Sequence, residues 1–337
     1  MVTLKDIARE TGVSITTVSN VVHNKKSRVS PEKAGEIREF IKRVNYIPSM
    51  SARSLANNAS PIIGIINHLM SRSGGGFLSD PFHNLFMGSI EDRMREKGYF
   101  IMVRTVEDAR KLEEVHRNWN LAGMIFTGLF QDEFFECVHK MNIPFVLIDS
   151  YIDLPDVCNV GLDDQMGGYI ATKYLLERGH RVVAFTSPFV RETGVVMHRL
   201  NGYKQALSEY GIPFKSSLVF EQEISIREGI QLGKTLSQMD EITGIFASAD
   251  ILAAGIMTGL RSAGVSVPDD KSIIVFDDNY LCQITYPQLT TIHQDADEKG
   301  IIASEMMIGQ LSGNPIKERK VILPVRLVER GSVKAII

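Results

Sequence analysis

Beyond Pro61 the chain alternates short apolar runs with longer segments of helical period, and few folds accommodate that pattern. The runs fall at 62–66, 99–103, 123–126, 144–148, 182–185, 218–220, 244–246 and 273–276. Between them, 83–97, 166–178, 199–210, 229–239, 252–263 and 299–311 repeat apolar residues at three- and four-residue intervals. Strands and helices alternating at this spacing imply parallel sheets with helices on both faces, because each parallel crossover must pass over the sheet. Eight or more such units exceed one ordinary open sheet, so two similar lobes with a cleft between them are expected. A further apolar run, 321–328, reads as one strand, and no leucine heptad follows it.

The first 60 residues are different in kind. They hold ten basic and five acidic side chains, net +5, whereas the whole chain of 337 residues carries a formal charge of −3 and the remainder is therefore net −8. Such asymmetry points to a nucleic-acid-binding head on a neutral-to-acidic body. A small, solvated helical domain that is merely basic gives the same count. The three cysteines, Cys137, Cys158 and Cys282, never form a CxxC pair, which excludes a disulfide framework and a thiolate zinc site and suits a reducing cytosol. No apolar run approaches the roughly 18 residues of a membrane span. Charges at Lys5, Asp6, Arg9 and Glu10 leave no room for a secretory h-region. A cytoplasmic protein without membrane contact is expected.

Helix signals in the head are explicit. Thr3-Leu4-Lys5-Asp6 reads as a capping box with Asp in the usual Glu or Gln place, and Leu4, Ile7 and Ala8 give an apolar face. Gly12 supplies a turn, and Ser14 can cap a second helix with Val18, Val21 and Val22 inward. Ser30-Pro31-Glu32 opens a third helix with Ala34, Ile37, Ile41 and Val44 as its buried face. Two short helices about a glycine turn, closed by a third, form a helix-turn-helix unit. With the valines inward, Ile15, Thr16, Thr17, Ser19 and Asn20 face solvent, at the end of the helix that enters the major groove in this motif. Asn20 can pair bidentately with adenine, and Ile15 can meet a thymine methyl. Ser14, Thr17, Ser30 and Tyr46 suit phosphates. A three-helix bundle used for protein contacts is the alternative reading of the pattern.

The stretches TLKDIARETGVSITTVSNVVHN, RVSPE, NYIP and ARSLA resemble the head of the lactose-repressor/galactose-repressor family of bacterial transcription regulators over nearly all of residues 2–57. The resemblance implies base readers at Ile15, Thr16 and Asn20, and phosphate contacts at Ser14, Thr17, His23, Ser30 and Tyr46. It implies a hinge that becomes helical on the operator, with Leu55 as an apolar wedge in the minor groove that unstacks one base step. The body resembles the family more loosely over 61–331. That likeness carries the expectation of an α/β, two-lobed, periplasmic-binding-protein-like body closing on a small molecule, with ligand contacts at Phe82, Asp149, Arg199, Asp250, Asp277 and Gln294.

The body residues have a rationale of their own. Asp149 and Asp277 follow apolar runs and so stand at strand C-terminal ends, where open α/β sheets bind ligands. Carboxylates, a guanidinium and an amide suit the vicinal hydroxyls of a sugar, and Phe82 can lie against its apolar face. Asp163, Asp164 and Asp278 read instead as helix caps. Ala249 and Val275 depart from the family's usual Asn and Gly, so a common hexose does not follow. The paired acids point apart in a strand, and no HxxxH, GxSxG or phosphate loop accompanies them, so catalytic residues, metal and cofactor are all expected to be absent. The expected organisation is a helix-turn-helix domain over 1–47, a hinge over 48–60 and the body over 61–337. Its lobes are expected at 61–160 plus 292–320 and at 161–291 plus 321–331. The expected function is repression of carbohydrate genes by a homodimer on a pseudo-palindromic double-stranded operator, controlled by a sugar or sugar derivative. A nucleoside or purine effector is the alternative, and an exported solute-binding protein lacks both a signal and a use for the basic head.

Overall fold

The computed structural model describes residues 2–22, 29–46, 60–68 and 77–336, in two compact units, Met1–Ser60 and Pro61–Ile337. His23, Leu55, nearly all of the expected hinge and residues 69–76 lie outside the described residues.

In the head, α1 (Leu4–Thr11) starts at a reciprocal capping box. The Thr3 hydroxyl accepts from the Asp6 amide at 3.3 Å, and the Asp6 carboxylate accepts from the Thr3 amide at 3.0 Å. Gly12 closes the helix in the left-handed region, φ 67°, a conformation that glycine adopts without steric cost. Helix α2 (Ile15–Val22) is capped by Ser14, whose hydroxyl accepts from the Thr17 amide at 3.1 Å. Helix α3 (Pro31–Arg43) is capped by Ser30. Ile7, Val18 and Ile37, one from each helix, are fully buried together.

Among the described residues the body forms two six-stranded sheets. The first, in the order β11-β5-β4-β3-β1-β2, is parallel throughout. Its strands are β1 (Ile62–Asn67), β2 (Phe100–Thr105), β3 (Gly123–Thr127), β4 (Phe145–Ile148), β5 (Cys158–Leu162) and β11 (Lys320–Leu323). The second, β12-β10-β9-β8-β6-β7, is parallel except for the antiparallel edge pair β10–β12. It is built from β6 (Val183–Ser187), β7 (Val219–Glu221), β8 (Gly244–Ala247), β9 (Ser272–Asp277), β10 (Thr290–His293) and β12 (Arg326–Val328).

Each sheet is covered on both faces, as its nearly unbroken apolar strands require. In the first lobe Ile63, Ile65, Val146 and Ile148 pack toward α4 (Pro81–Glu96) and α11 (Ala296–Ser312). Ile66, Met124, Phe126 and Leu147 pack toward α5 (Ala109–Trp119) and α6 (Glu133–Lys140). In the second, Phe185, Phe246 and Phe276 meet α7 (Asp164–Glu177) and α8 (Val195–Glu209). Ala184, Ile245 and Val275 meet α9 (Ile226–Leu236) and α10 (Asp250–Ser262). Aspartates cap several of these helices, at Asp80, Asp108, Asp132, Asp163 and Asp295.

The chain passes between lobes after β5, after β10 and after β11. These crossings come two to three residues later than the expected boundaries. The run 321–328 is not one strand: β11 pairs with β5 in one sheet and β12 with β10 in the other. Pro324, which has no amide to donate, stands at the break.

Candidate nucleic-acid interface and ligand cleft

Ser14, Ile15, Thr16 and Thr17 cluster at the N-terminal end of α2, with Asn20 one turn further on. Ile15 is 48% exposed although apolar, because the buried stripe is taken by Val18 and Val21. The hydroxyls of Ser14 and Thr17 are linked at 2.9 Å, so the cap also orients a pair of polar groups at the helix start. Ser30 holds the same position on α3. Tyr46 packs partly into the head core, and burial raises its hydroxyl above the ordinary range.

In the body, a cavity of about 780 Å³ lies between the lobes and is lined by Phe82, Asp149, Arg199 and Asp277 among others. Asp149 immediately follows β4, and Asp277 ends β9. Both have positive φ, 54° and 112°. Non-glycine residues held there cost about 1–3 kcal/mol each, and such strain concentrates at functional sites.

A continuous polar network ties these side chains together across the crossings. Lys299, with no solvent exposure, donates to both Asp149 oxygens at 2.7 and 2.8 Å and to Gln294 Oε1 at 2.8 Å. Gln294 Nε2 donates to Asp277 Oδ1 at 2.6 Å. Arg199 Nη1 stands 3.8 Å from the same carboxylate, while its Nε donates to Asp164 Oδ1 at 2.8 Å. The Tyr151 hydroxyl, from the first lobe, donates to Asp164 Oδ2 at 2.7 Å. Burial, with the charge of Asp80 adding to it, outweighs Arg199, Gln294 and Lys299 and pushes Asp277 up to about 7. Other contacts also join the lobes: the Tyr151 and His198 rings stack at 3.8 Å, and the Arg191 guanidinium lies 4.7 Å from the Phe130 ring.

Two expected contacts stand elsewhere. Gln294 is buried behind the cavity wall, where it positions Asp277 and Lys299. Asp250 is not among the residues that line the cavity. It is fully buried, accepts from the Asn279 amide at 2.7 Å, and is pushed well above the usual carboxylate range by burial and by Asp277. The capping reading fits Asp163, which accepts from the Met166 amide, but not its neighbours. Asp164 is the ion-pair partner of Arg199, and Asp278 bonds His293 at 2.9 Å and Arg330 at 2.6 Å. The members of each sequence pair take different partners. Lys299 was missed, although its place on a stripe with Ala303 and Met306 was a signal: a charge on a buried helix face needs a partner.

Among the described residues no group of three or more His, Cys, Asp or Glu could hold a metal ion, and no helix is long and apolar enough to cross a membrane.

Residues 3–49 match the family model described as bacterial regulatory proteins, lacI family, and residues 172–333 match a periplasmic binding protein-like domain. The HTH-type transcriptional regulator DegA of Bacillus subtilis is 30% identical over 98% of this chain and 97% of its own. The ribose operon repressor of Halalkalibacterium halodurans is 29% identical over 99% and 98%. Among solved structures, the Lac repressor dimer bound to operator and the anti-inducer ONPF superposes with a TM-score of 0.82 at 24% identity, covering 99% of each chain. A LacI family regulator from Enterococcus faecium with bound ribose gives 0.71 at 29% identity, covering 82% of this chain and 100% of its own.

Proposed function

The chain belongs to the lacI family of bacterial regulatory proteins and is a DNA-binding transcription regulator, and from that premise we propose that it represses carbohydrate-use genes under control of a small polyhydroxylated effector held between its lobes. The observation that carries this reading is the strained pair Asp149 and Asp277, which line a cavity beside Arg199 and Phe82 and belong to a network spanning both lobes. A ligand that replaces part of that network alters the relative stability of lobe arrangements, and only such a differential interaction can move an equilibrium. Names of similar proteins, a ribose operon repressor and a regulator with bound ribose, support a sugar. The protein is proposed to act in the cytoplasm, without catalysis, as a homodimer whose heads read half-sites on successive turns of double-stranded DNA. Ile15, Thr16 and Asn20 are the proposed base readers, with Ser14, Thr17, His23, Ser30 and Tyr46 on phosphates and Leu55 in the minor groove.

Selection of a random oligonucleotide pool by the full chain tests the first half. Palindromic enrichment is expected, and its absence sinks the reading. Asn20→Ala should cost about 1–3 kcal/mol of discrimination at one base pair in each half-site. Titrating sugars and nucleosides with and without the selected operator tests the second half. Operator and effector must change each other's affinity by the same factor, typically 5- to 150-fold.

A further inference from the structure

The turn that brings Asp277 to the cavity is strained at two successive residues. Asp277 and Asp278 both have positive φ, 112° and 65°, and neither is glycine. Such a conformation persists only where its surroundings hold it. Three parts of the second lobe do so. At the end of β10, His293 bonds Asp278 Oδ2 at 2.9 Å, and Gln294 Nε2 donates to Asp277 Oδ1 at 2.6 Å. From beyond β12, Arg330 donates to Asp278 Oδ1 at 2.6 Å. From α10, Asp250 Oδ2 accepts from the Asn279 amide at 2.7 Å.

The Asp250 contact differs in kind from the other three. Those hold side chains, which can rotate, whereas Asp250 holds the main chain directly after the two strained residues. Asp250 is the first residue of α10 and has no solvent exposure, and Asn279 is buried as well. Loss of the acceptor would therefore leave a buried amide without its bond. The Asn279 side chain is committed elsewhere, its Oδ1 accepting from the Leu281 amide at 2.9 Å. Burial, with the charge of Asp277 adding to it, holds the Asp250 carboxyl well above the usual carboxylate range. Its oxygen, not its charge, is what the turn uses, and a carboxamide oxygen can accept the same bond.

We propose that Asp250 is a positioning residue for effector binding: it fixes the 277–279 turn and so keeps the Asp277 carboxyl at the cavity, without touching the ligand itself. The proposal rests on Asp277 being an effector contact. Asp250 then takes part in recognition through the main chain at the end of the neighbouring strand β9.

The test compares Asp250→Asn, which retains an acceptor oxygen, with Asp250→Val, which retains none. Both lack the Asp250 carboxyl, so its own titration drops out of the comparison. Asp277, pushed up to about 7 by burial and the Asp80 charge against Arg199, Gln294 and Lys299, favours the folded chain most below the unfolded value near 3.9. That contribution is lost as pH rises toward 7. Tm of the full chain should therefore fall across this range in the Asn variant. In the Val variant Asp277 is released toward water, and the fall should be at most about half as large. A purely structural role lowers Tm equally at every pH, so equal slopes overturn the proposal. Calorimetric titration of ribose, glucose and galactose gives a second readout. A sugar that binds the parent should bind the Asn variant within about threefold and the Val variant at least about tenfold more weakly. Equal affinities in all three, or an Asn variant as weak as the Val variant, overturn the proposal. If the Val variant does not fold, hydrogen exchange of the Asn279 amide decides. Protection in the parent and the Asn variant is expected, and exchange at the rate of a free peptide in either overturns the proposal. Failure of all three sugars to bind the parent would count against the sugar reading of the cleft, while the two Tm slopes still judge Asp250.

Discussion

Lys299 shows what a single buried charge demands. Taking an ammonium out of water costs several kcal/mol, offset here by two carboxylate bonds and an amide bond. Lys299→Met should therefore destabilise the body by about 3 kcal/mol, because Asp149, 15% exposed, is left without its partner. Adding Asp149→Asn should recover a large part, as urea denaturation of the parent and the two variants would show. Asp277 gives a pH signature. Its folded-state pKa, pushed up to about 7 by burial and Asp80 against Arg199, Gln294 and Lys299, exceeds the unfolded value near 3.9. The stability held by the protonated group is complete below that unfolded value and is lost as pH rises toward 7. Asp277→Asn should flatten the fall in Tm between about pH 4 and 7, and an unchanged slope would contradict the assignment. At this scale the strand-end aspartates were legible, because an apolar run that stops at Asp shows where the chain leaves the sheet. Lys299 and the true partners of Asp164 were not, since each depends on residues far away in the chain.

Elements bring those distant partners together through close backbone approach. Helices α7 and α8 cross at Gly168 and Gly202: a Cβ on Gly202 would overlap the Gln165 carbonyl, and one on Gly168 the Arg199 carbonyl. That contact is what sets Arg199 beside Asp164. Gly202→Ala should cost about 1–3 kcal/mol of stability by forcing the helices apart and should weaken effector binding as well, whereas a loss of stability alone would show that Arg199 keeps its place. Elements with strong local signals, such as the Ser30-Pro31-Glu32 helix start, were legible. Helix α5 was not, because only Leu112 is buried along a highly charged segment. Strands β5 (CNVGL) and β10 (TTIH) hold little apolar pattern. They are strands because neighbours flank them on both sides, β4 and β11 for one, β9 and β12 for the other.

For the whole molecule, a mean charge near neutrality hides two electrostatic regimes. Operator binding should weaken by orders of magnitude between about 50 and 200 mM salt, each phosphate contact contributing a slope near −0.9 in log–log form. Effector binding, involving at most one ligand charge, should change far less, and parallel slopes would contradict this division. The triple passage of the chain between lobes bears on how the protein comes into being. Val321 completes the first sheet beside Val160, and Leu327 completes the second beside Ile292. During synthesis, then, the three-helix head can fold from local contacts as soon as it emerges, while neither lobe can finish its sheet until the last strands arrive. The body should mature late and as one cooperative unit, leaving a nascent chain whose DNA-reading part precedes the part that governs it.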